Sequence, residues 1–165
     1  MRSPGRVFWP LAVTLVLADC SSKRAIEEAI PLPGLTRPVV DDVLRFTLAY
    51  NRGAAFSTSF GPYQRWLLIA VAGAMLALLW RSYGRVARLG GAAVAGLALV
   101  AGGAAGNLLD RLASDRGVVD FIDLGVGNAR FYVFNVADAG VSVGAALLAY
   151  AFWRHDRSAT ERRAA

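Results

Sequence analysis

The sequence predicts an all-α integral membrane protein, with four transmembrane helices and a small extracytoplasmic β-element between helices 1 and 2. Three observations predict it. Hydrophobic residues make up 56% of the 165-residue chain and charged residues only 18%, against about 45–50% and about 25% in soluble domains. The apolar residues are gathered into four runs, of which the second, third and fourth are near the roughly 20 residues a helix needs to cross the hydrocarbon core. Residues 31–62 break that pattern, with Pro31, Pro33, Gly34 and Pro38 followed by strand-forming side chains.

The elements follow in order. The first helix is placed at 7–26. Residues 7–18 alone are short and have the length of a signal-peptide core. Continued to Ile26, the helix spans, but it then carries Asp19 and Lys23 near its outer end. These are i and i+4 with the acid first, so they can pair on one face. The β-element is placed at 31–62, because helix breakers give way to Val39-Val40 and Val43-Leu44-Arg45-Phe46-Thr47-Leu48. Helices are expected at 63–80, 89–109 and 131–153. Trp9, Tyr63, Trp66, Trp80, Tyr83, Tyr132, Tyr150 and Trp153 fall near the ends of these runs, as interfacial aromatic belts require. The tail, 155–165, is polar and is expected to be disordered. The whole chain, 1–165, is read as one membrane-embedded domain.

Charge sets the orientation. The formal net charge is +6, but the arginines cluster at the ends of apolar runs, so topology explains them better than a nucleic-acid partner. With both termini and the 81–88 loop inside, that side holds Arg2, Arg6, Arg81, Arg85, Arg88, Arg154, Arg157, Arg162 and Arg163. The other side holds as many basic residues, spread over a longer stretch and beside carboxylates. Density near helix ends places both termini in the cytoplasm. Glycines in the third and fourth helices, Gly102/Gly106 and Gly140/Gly144, have the small-xxx-small spacing that lets helix backbones approach.

The polar residues inside this apolar frame are the candidate site. A charge near the bilayer centre costs about 2.5–3.5 kcal/mol on insertion scales, so an intramembrane carboxylate is a functional hypothesis by default. Asp138 lies within the last apolar run. Asn135 is three residues before it and shares its helix face. Asp120 sits in a loop within Val118-Val119-Asp120-Phe121-Ile122, where the flanking hydrophobes hold it at the membrane surface. Residue chemistry alone leaves Asp120 and Asp123 equally eligible. Asn107, Asp110 and Arg111 share a face at the outer end of helix three. Asp110 reads as structural, holding Arg111 or accepting backbone N–H groups. Arg111 is placed to grip an anionic or carbonyl group.

Other chemistries fail. His155 lies beyond the last helix, so no Ser-His-Asp set forms. No His or Cys cluster has metal-ligand spacing, no phosphate loop is present, and the single Cys20 reads as inert. What remains is a pair of carboxylates. Placed close together they cannot both ionise cheaply, so one keeps a proton and the other can act as base on a water. No metal or cofactor is expected.

Five segments together resemble a known family. They are Asp19-Cys20-Ser21-Ser22-Lys23, Asn51-Arg52-Gly53-Ala54-Ala55-Phe56-Ser57, Gly106-Asn107-Leu108-Leu109-Asp110-Arg111, Val118-Val119-Asp120-Phe121-Ile122 and Phe134-Asn135-Val136-Ala137-Asp138. In this order, over residues 7–153, the chain resembles lipoprotein signal peptidase, signal peptidase II. The resemblance implies an aspartic endopeptidase of the bacterial inner membrane. It would remove signal peptides from prolipoproteins by cutting before a diacylglyceryl-modified cysteine, near the periplasmic face. It implies Asp120 and Asp138 as the catalytic dyad, so choosing Asp120 over Asp123. Asn51, Asn107, Arg111 and Asn135 map to substrate-binding positions, and Asp19 and Lys23 to a supporting pair. The implied partners are lipid-modified prolipoproteins and membrane lipid, with the protein a monomer. Two positions depart from the family pattern: Cys20 stands where Gln is usual and Ala139 where Ser is usual. Two rival readings are a lipoprotein precursor lipidated at Cys20, which would not need three further spans, and a small transporter using Asp138 as a relay.

Overall fold

A computed structural model describes residues 4–53 and 61–164. It has four long helices, α1 (Gly5–Ala29), α2 (Gln64–Val86), α3 (Gly91–Ala113) and α4 (Val136–Ala164). Among the described residues, three helical stretches are long and apolar enough to cross a membrane, Gln64–Leu89, Gly91–Ala113 and Val136–Ser158. The first helix does not join them. Its second half carries Asp19, Lys23, Arg24, Glu27 and Glu28, which dilute its apolar content.

α3 is the central helix and packs against α1, α2 and α4. Its composition explains why. A Cβ at Gly96 would stand 2.7 Å from the Gly144 carbonyl oxygen, and one at Gly144 would stand 2.6 Å from the Gly96 carbonyl oxygen. This reciprocal contact lets α3 and α4 cross with backbones touching. Gly102 and Gly106 serve a different neighbour. A Cβ at Gly102 would lie 2.9 Å from the Ala12 carbonyl oxygen of α1, and one at Gly106 would lie 2.6 Å from Oδ2 of Asp19. α2 lies at the edge, with its most apolar stretch unburied.

The β-element is larger than the sequence implies. Strands β1 (Thr36–Val40) and β2 (Leu44–Asn51) come from the expected stretch, but β3 (Val118–Val126) and β4 (Ala129–Arg130) come from the α3–α4 connection. They form one antiparallel sheet in the order β1-β2-β3-β4. Asp120 therefore lies on a strand, not in a loop. Val118, Val119, Phe121 and Ile122 are strand formers, and β2 supplies the pairing, with Ala49 opposite Asp120 and Asn51 opposite Val118. Ile26, Ile30, Leu48, Val119 and Phe121 form a buried cluster that ties the end of α1 to this sheet. The part of the element at 54–60, with Ala54–Ser57 of the second motif, lies outside the described residues.

Three further expectations are corrected. The second helix does not stop at 80 before an 81–88 loop: α2 runs on to Val86, and one tight turn at Ala87–Leu89 leads into α3. The fourth helix starts at Val136 rather than at 131. Phe134 is drawn into the sheet instead, exchanging N–H···O bonds of 2.7 and 3.1 Å with Ile122. The tail is not disordered, because α4 continues through it to Ala164. Arg, Glu and Ala are good helix formers, and the Ser158 and Thr160 hydroxyls turn back to share the carbonyls of His155 and Asp156 at 2.9 and 3.1 Å instead of capping a break.

Candidate active site

The site forms where the ends of α1 and α3 and the start of α4 meet β2 and β3. Asn135 organises it. As the residue before α4, its Oδ1 accepts the backbone N–H of Asp138 at 2.9 Å, and the Asp138 carboxylate accepts the Asn135 N–H at 3.2 Å. This reciprocal pattern is a capping box, which satisfies two orphan donors of the helix start. It also fixes the rotamer of Asp138. The Asn135 amide then reaches across to the strand, donating to Oδ1 of Asp120 at 2.7 Å and to Oδ1 of Asn107 at 3.1 Å. Asn135 is fully buried.

Each carboxylate has its own second donor. Asn51 gives its Nδ2 to Oδ2 of Asp120 at 3.1 Å, and Asn107 gives its Nδ2 to Oδ1 of Asp138 at 2.8 Å. Asn51 is itself held, its Oδ1 accepting the Gly53 N–H at 3.1 Å. The two carboxylates from α4 and β3 thus converge through three asparagines. Burial pushes the Asp120 carboxyl up from the ordinary 3.8 to about 6, and the neighbouring Asp138 charge adds to the rise.

Behind the asparagines lies a buried ion cluster. Lys23 bridges Asp19 at 2.6 Å and Asp110 at 2.8 Å, and donates to Oδ1 of Asn107 at 3.1 Å. The other Asp19 oxygen accepts the Ala137 N–H in the first turn of α4 at 2.9 Å. Asp110 also accepts the Val119 N–H at 3.2 Å. The pair of Asp19 and Lys23 therefore forms as spacing predicts, while Asp110 takes Lys23 and a strand amide rather than Arg111. Among the described residues no buried side-chain nitrogen or oxygen lacks a partner.

Arg111 lies beside both carboxylates, within electrostatic range of Asp120 and Asp138, and its Nη1 donates to the Asn107 carbonyl at 3.1 Å. Asp123 is spent elsewhere. It points to the far end of β3, where Arg130 holds it at 2.6 Å, Arg45 at 3.2 Å and Thr47 at 3.0 Å. Burial alone would raise its pKa, but Arg130, Thr47 and Arg45 together hold it below the ordinary value. Among the described residues no three His, Cys, Asp or Glu side chains are grouped to hold a metal ion.

Sequence reasoning missed two fastenings. Arg65 donates from α2 to the carbonyls of Arg111 and Leu112 at 2.7 and 3.1 Å, so it closes the open end of α3. Gln64 donates to the Arg52 carbonyl. A cation and an amide at the start of an apolar run were the available signal, but they look the same as interfacial anchors.

A cluster of this kind, polar and fully satisfied at the ends of apolar helices, defines a membrane protein with a carboxylate-centred site. The comparisons name its family. A family model described as Signal peptidase (SPase) II matches residues 11–154, and the chain belongs to that family of membrane peptidases. It is 38% identical over 161 residues to the lipoprotein signal peptidase of Cellvibrio japonicus, covering 94% of this chain and 92% of that protein. It is 41% identical over 153 residues to the one from Pseudomonas syringae pv. tomato, covering 89% and 86%. Two solved bacterial membrane enzymes share the fold. One has a TM-score of 0.75 at 26% identity, covering 87% of this chain and 85% of that one, and the other a TM-score of 0.73 at 27% identity, covering 86% and 89%.

The raised carboxyl of Asp120 has a stability consequence. A group with a folded pKa above its unfolded value favours the fold fully at low pH, and that contribution is lost as pH rises through the folded value. Wild-type stability is therefore expected to decline between about pH 4 and pH 6 from this group. Asp120→Asn should lack that decline. Thermal unfolding in detergent across pH 4–7 checks this, and parallel curves for the two proteins would refute it.

Proposed function

We propose that this protein is an aspartic endopeptidase that removes signal peptides from prolipoproteins, cutting before a diacylglyceryl-modified cysteine. The observation that carries this reading is the convergence of Asp120 and Asp138 on one buried asparagine, Asn135. Family membership supports it, as do relatives named lipoprotein signal peptidases.

The mechanism follows from a pair that shares one proton. Asp120 and Asp138 hold a water between them. The ionised carboxylate takes a proton from that water as its oxygen bonds to the scissile carbonyl carbon. The protonated carboxyl donates to the carbonyl oxygen. Collapse of the tetrahedral adduct breaks the C–N bond as the proton taken from water passes to the leaving amine and one hydroxyl proton of the adduct returns to the other carboxylate, so the pair again shares one proton. Asn107, Asn135 and Asn51 hold the two acids in place. The scissile bond has to come to the membrane surface, because the acyl chains on the cysteine stay in lipid. Incubation with a diacylglyceryl-modified peptide, followed by product mass, tests the proposal. A cut elsewhere than before the modified cysteine, or none, would overturn it.

Arg111 fits a substrate-gripping role. Arg111→Ala is expected to raise KM about tenfold while kcat stays nearly constant, the pattern of lost uniform binding. A large fall in kcat at constant KM would assign it to the transition state instead.

In the bacterial inner membrane this reading places both termini in the cytoplasm and the sheet outside. The dense arginines of residues 81–88, at the end of α2 and the turn into α3, support that topology. A cysteine at Ser82 is expected to resist an impermeant label applied to spheroplasts from outside, and labelling there would invert the orientation. α1 would be the fourth span, with its buried Asp19–Lys23 pair near the outer surface. Every residue of the site comes from one chain, which supports a monomer as the active unit.

A further inference from the structure

A cavity lies away from the carboxylates, in the groove where α1 and α2 flank α3. Its volume is about 360 Å³. Its floor is Ala12, Ala101 and Ala105, and its walls include Val16, Leu76 and Leu79. None of the polar site residues lines it. Ala105 stands two residues from Asn107, about 200° round the helix, so the groove and the site open on opposite faces of α3.

The groove has a length and a direction. It runs along α1 from Phe8 to Leu17, about 14 Å at 1.5 Å per residue. That is about half the roughly 30 Å hydrocarbon core, the depth of one leaflet. A transmembrane helix from a partner would need a groove of twice that length. One end is marked as an interface by aromatic rings. Trp9 and Trp80 have ring centroids 5.8 Å apart, Trp80 stacks on Tyr83 at 5.9 Å, and Phe8 meets Tyr83 edge-on at 5.2 Å. Trp9 and Trp80 are more than half exposed, at 55% and 60%, as belt residues are. The charge at that end has one sign. Arg6, Arg81 and Arg85 are exposed on the two helix ends beside the mouth, and residues 1–18 and 64–109 contain no carboxylate.

We propose that this groove is a binding site for an anionic glycerophospholipid of the leaflet at the Trp9–Trp80 end. One acyl chain lies on the alanine floor, and the headgroup phosphate sits at the aromatic mouth within reach of Arg6 and Arg81. The chain fills the gap beside α2, whose most apolar stretch is unburied. The site is distinct from the peptide-cleaving centre and does not depend on the reaction proposed for it.

Native mass spectrometry with equal dioleoyl phosphatidylglycerol and dioleoyl phosphatidylcholine tests the site. The wild type is expected to retain one phosphatidylglycerol, favoured about tenfold or more over phosphatidylcholine. Brominated acyl chains should quench the fluorescence of Trp9 and Trp80. Ala101→Phe fills the floor and should remove the retained lipid, with an unchanged helical circular-dichroism spectrum and unfolding midpoint as evidence of folding. Should that variant not fold, Val13→Trp on the exposed rim is expected to do the same. The double variant Arg6→Gln, Arg81→Gln should bind the two lipids alike and keep the quenching. Equal retention of both lipids by the wild type would overturn the proposal. So would undiminished binding in a folded groove-filling variant, or a protein dimer in place of the lipid adduct.

Discussion

Asp120→Asn and Asp138→Asn are each expected to lower cleavage of a lipidated substrate on the order of 10³-fold or more, and the double variant to be little worse than either. Residues that act as one unit give such non-additive losses. The physical reason is the shared proton. With either carboxyl replaced by an amide, no partner remains to take a proton from water while the other donates. The swaps keep size, and each new amide still accepts through its oxygen, so the Asn135 contact to position 120 and the capping box at position 138 can persist, while the amide NH2 meets the donor of Asn51 or Asn107 until that side chain flips. Asp123→Asn should stay active, because Asp123 is engaged with Arg130 and Arg45 at the far end of the strand. Rates measured on a diacylglyceryl-modified peptide decide. Near-normal cleavage by Asp120→Asn with none by Asp123→Asn would move the dyad. Full activity in all three single variants would end the aspartic reading.

Lys23→Met is expected to cost about 3–5 kcal/mol of stability, the usual loss when one partner of a buried ion pair is removed. Lys23 and Asp19 are almost wholly buried, at 2% and 0% exposed. Without the ammonium, Asp19 and Asp110 would face each other with no cation between them, and Asn107 would lose a donor. The damage should travel to the site, since Asp19 also caps α4 through the Ala137 N–H one residue before Asp138. Adding Asp19→Asn to Lys23→Met should restore part of the loss, as the stranded charge is then removed. Thermal unfolding of purified protein in detergent measures both. An unchanged midpoint in Lys23→Met would mean that Asp19 and Asp110 are satisfied without it.

Some of this arrangement was legible in the chain, because it depends on local spacing. The apolar runs of the second, third and fourth helices follow from composition alone. Asp19 and Lys23 pair because i and i+4 lie on one helix face, and Asn135 and Asp138, three apart, also meet, though as a helix cap and the third helical residue rather than on one face. That Asp138 was worth attention followed from the cost of a carboxylate inside an apolar run.

Tertiary structure decided the rest, because the deciding partners are distant in sequence. Nothing local says that Val118-Val119-Asp120-Phe121-Ile122 finds β2 seventy residues earlier, or that Phe134 leaves the helix for the sheet. Asp120 and Asp123 look alike in one strand. They are separated by which side chains meet them, asparagines for one and arginines for the other. Asp110 chose Lys23 of α1 over the adjacent Arg111 because the Gly106 face brings α1 close enough for the ammonium to reach. Periodicity fixes which residues share a face, but only packing fixes what that face meets, and in this protein the chemistry depends on the meeting.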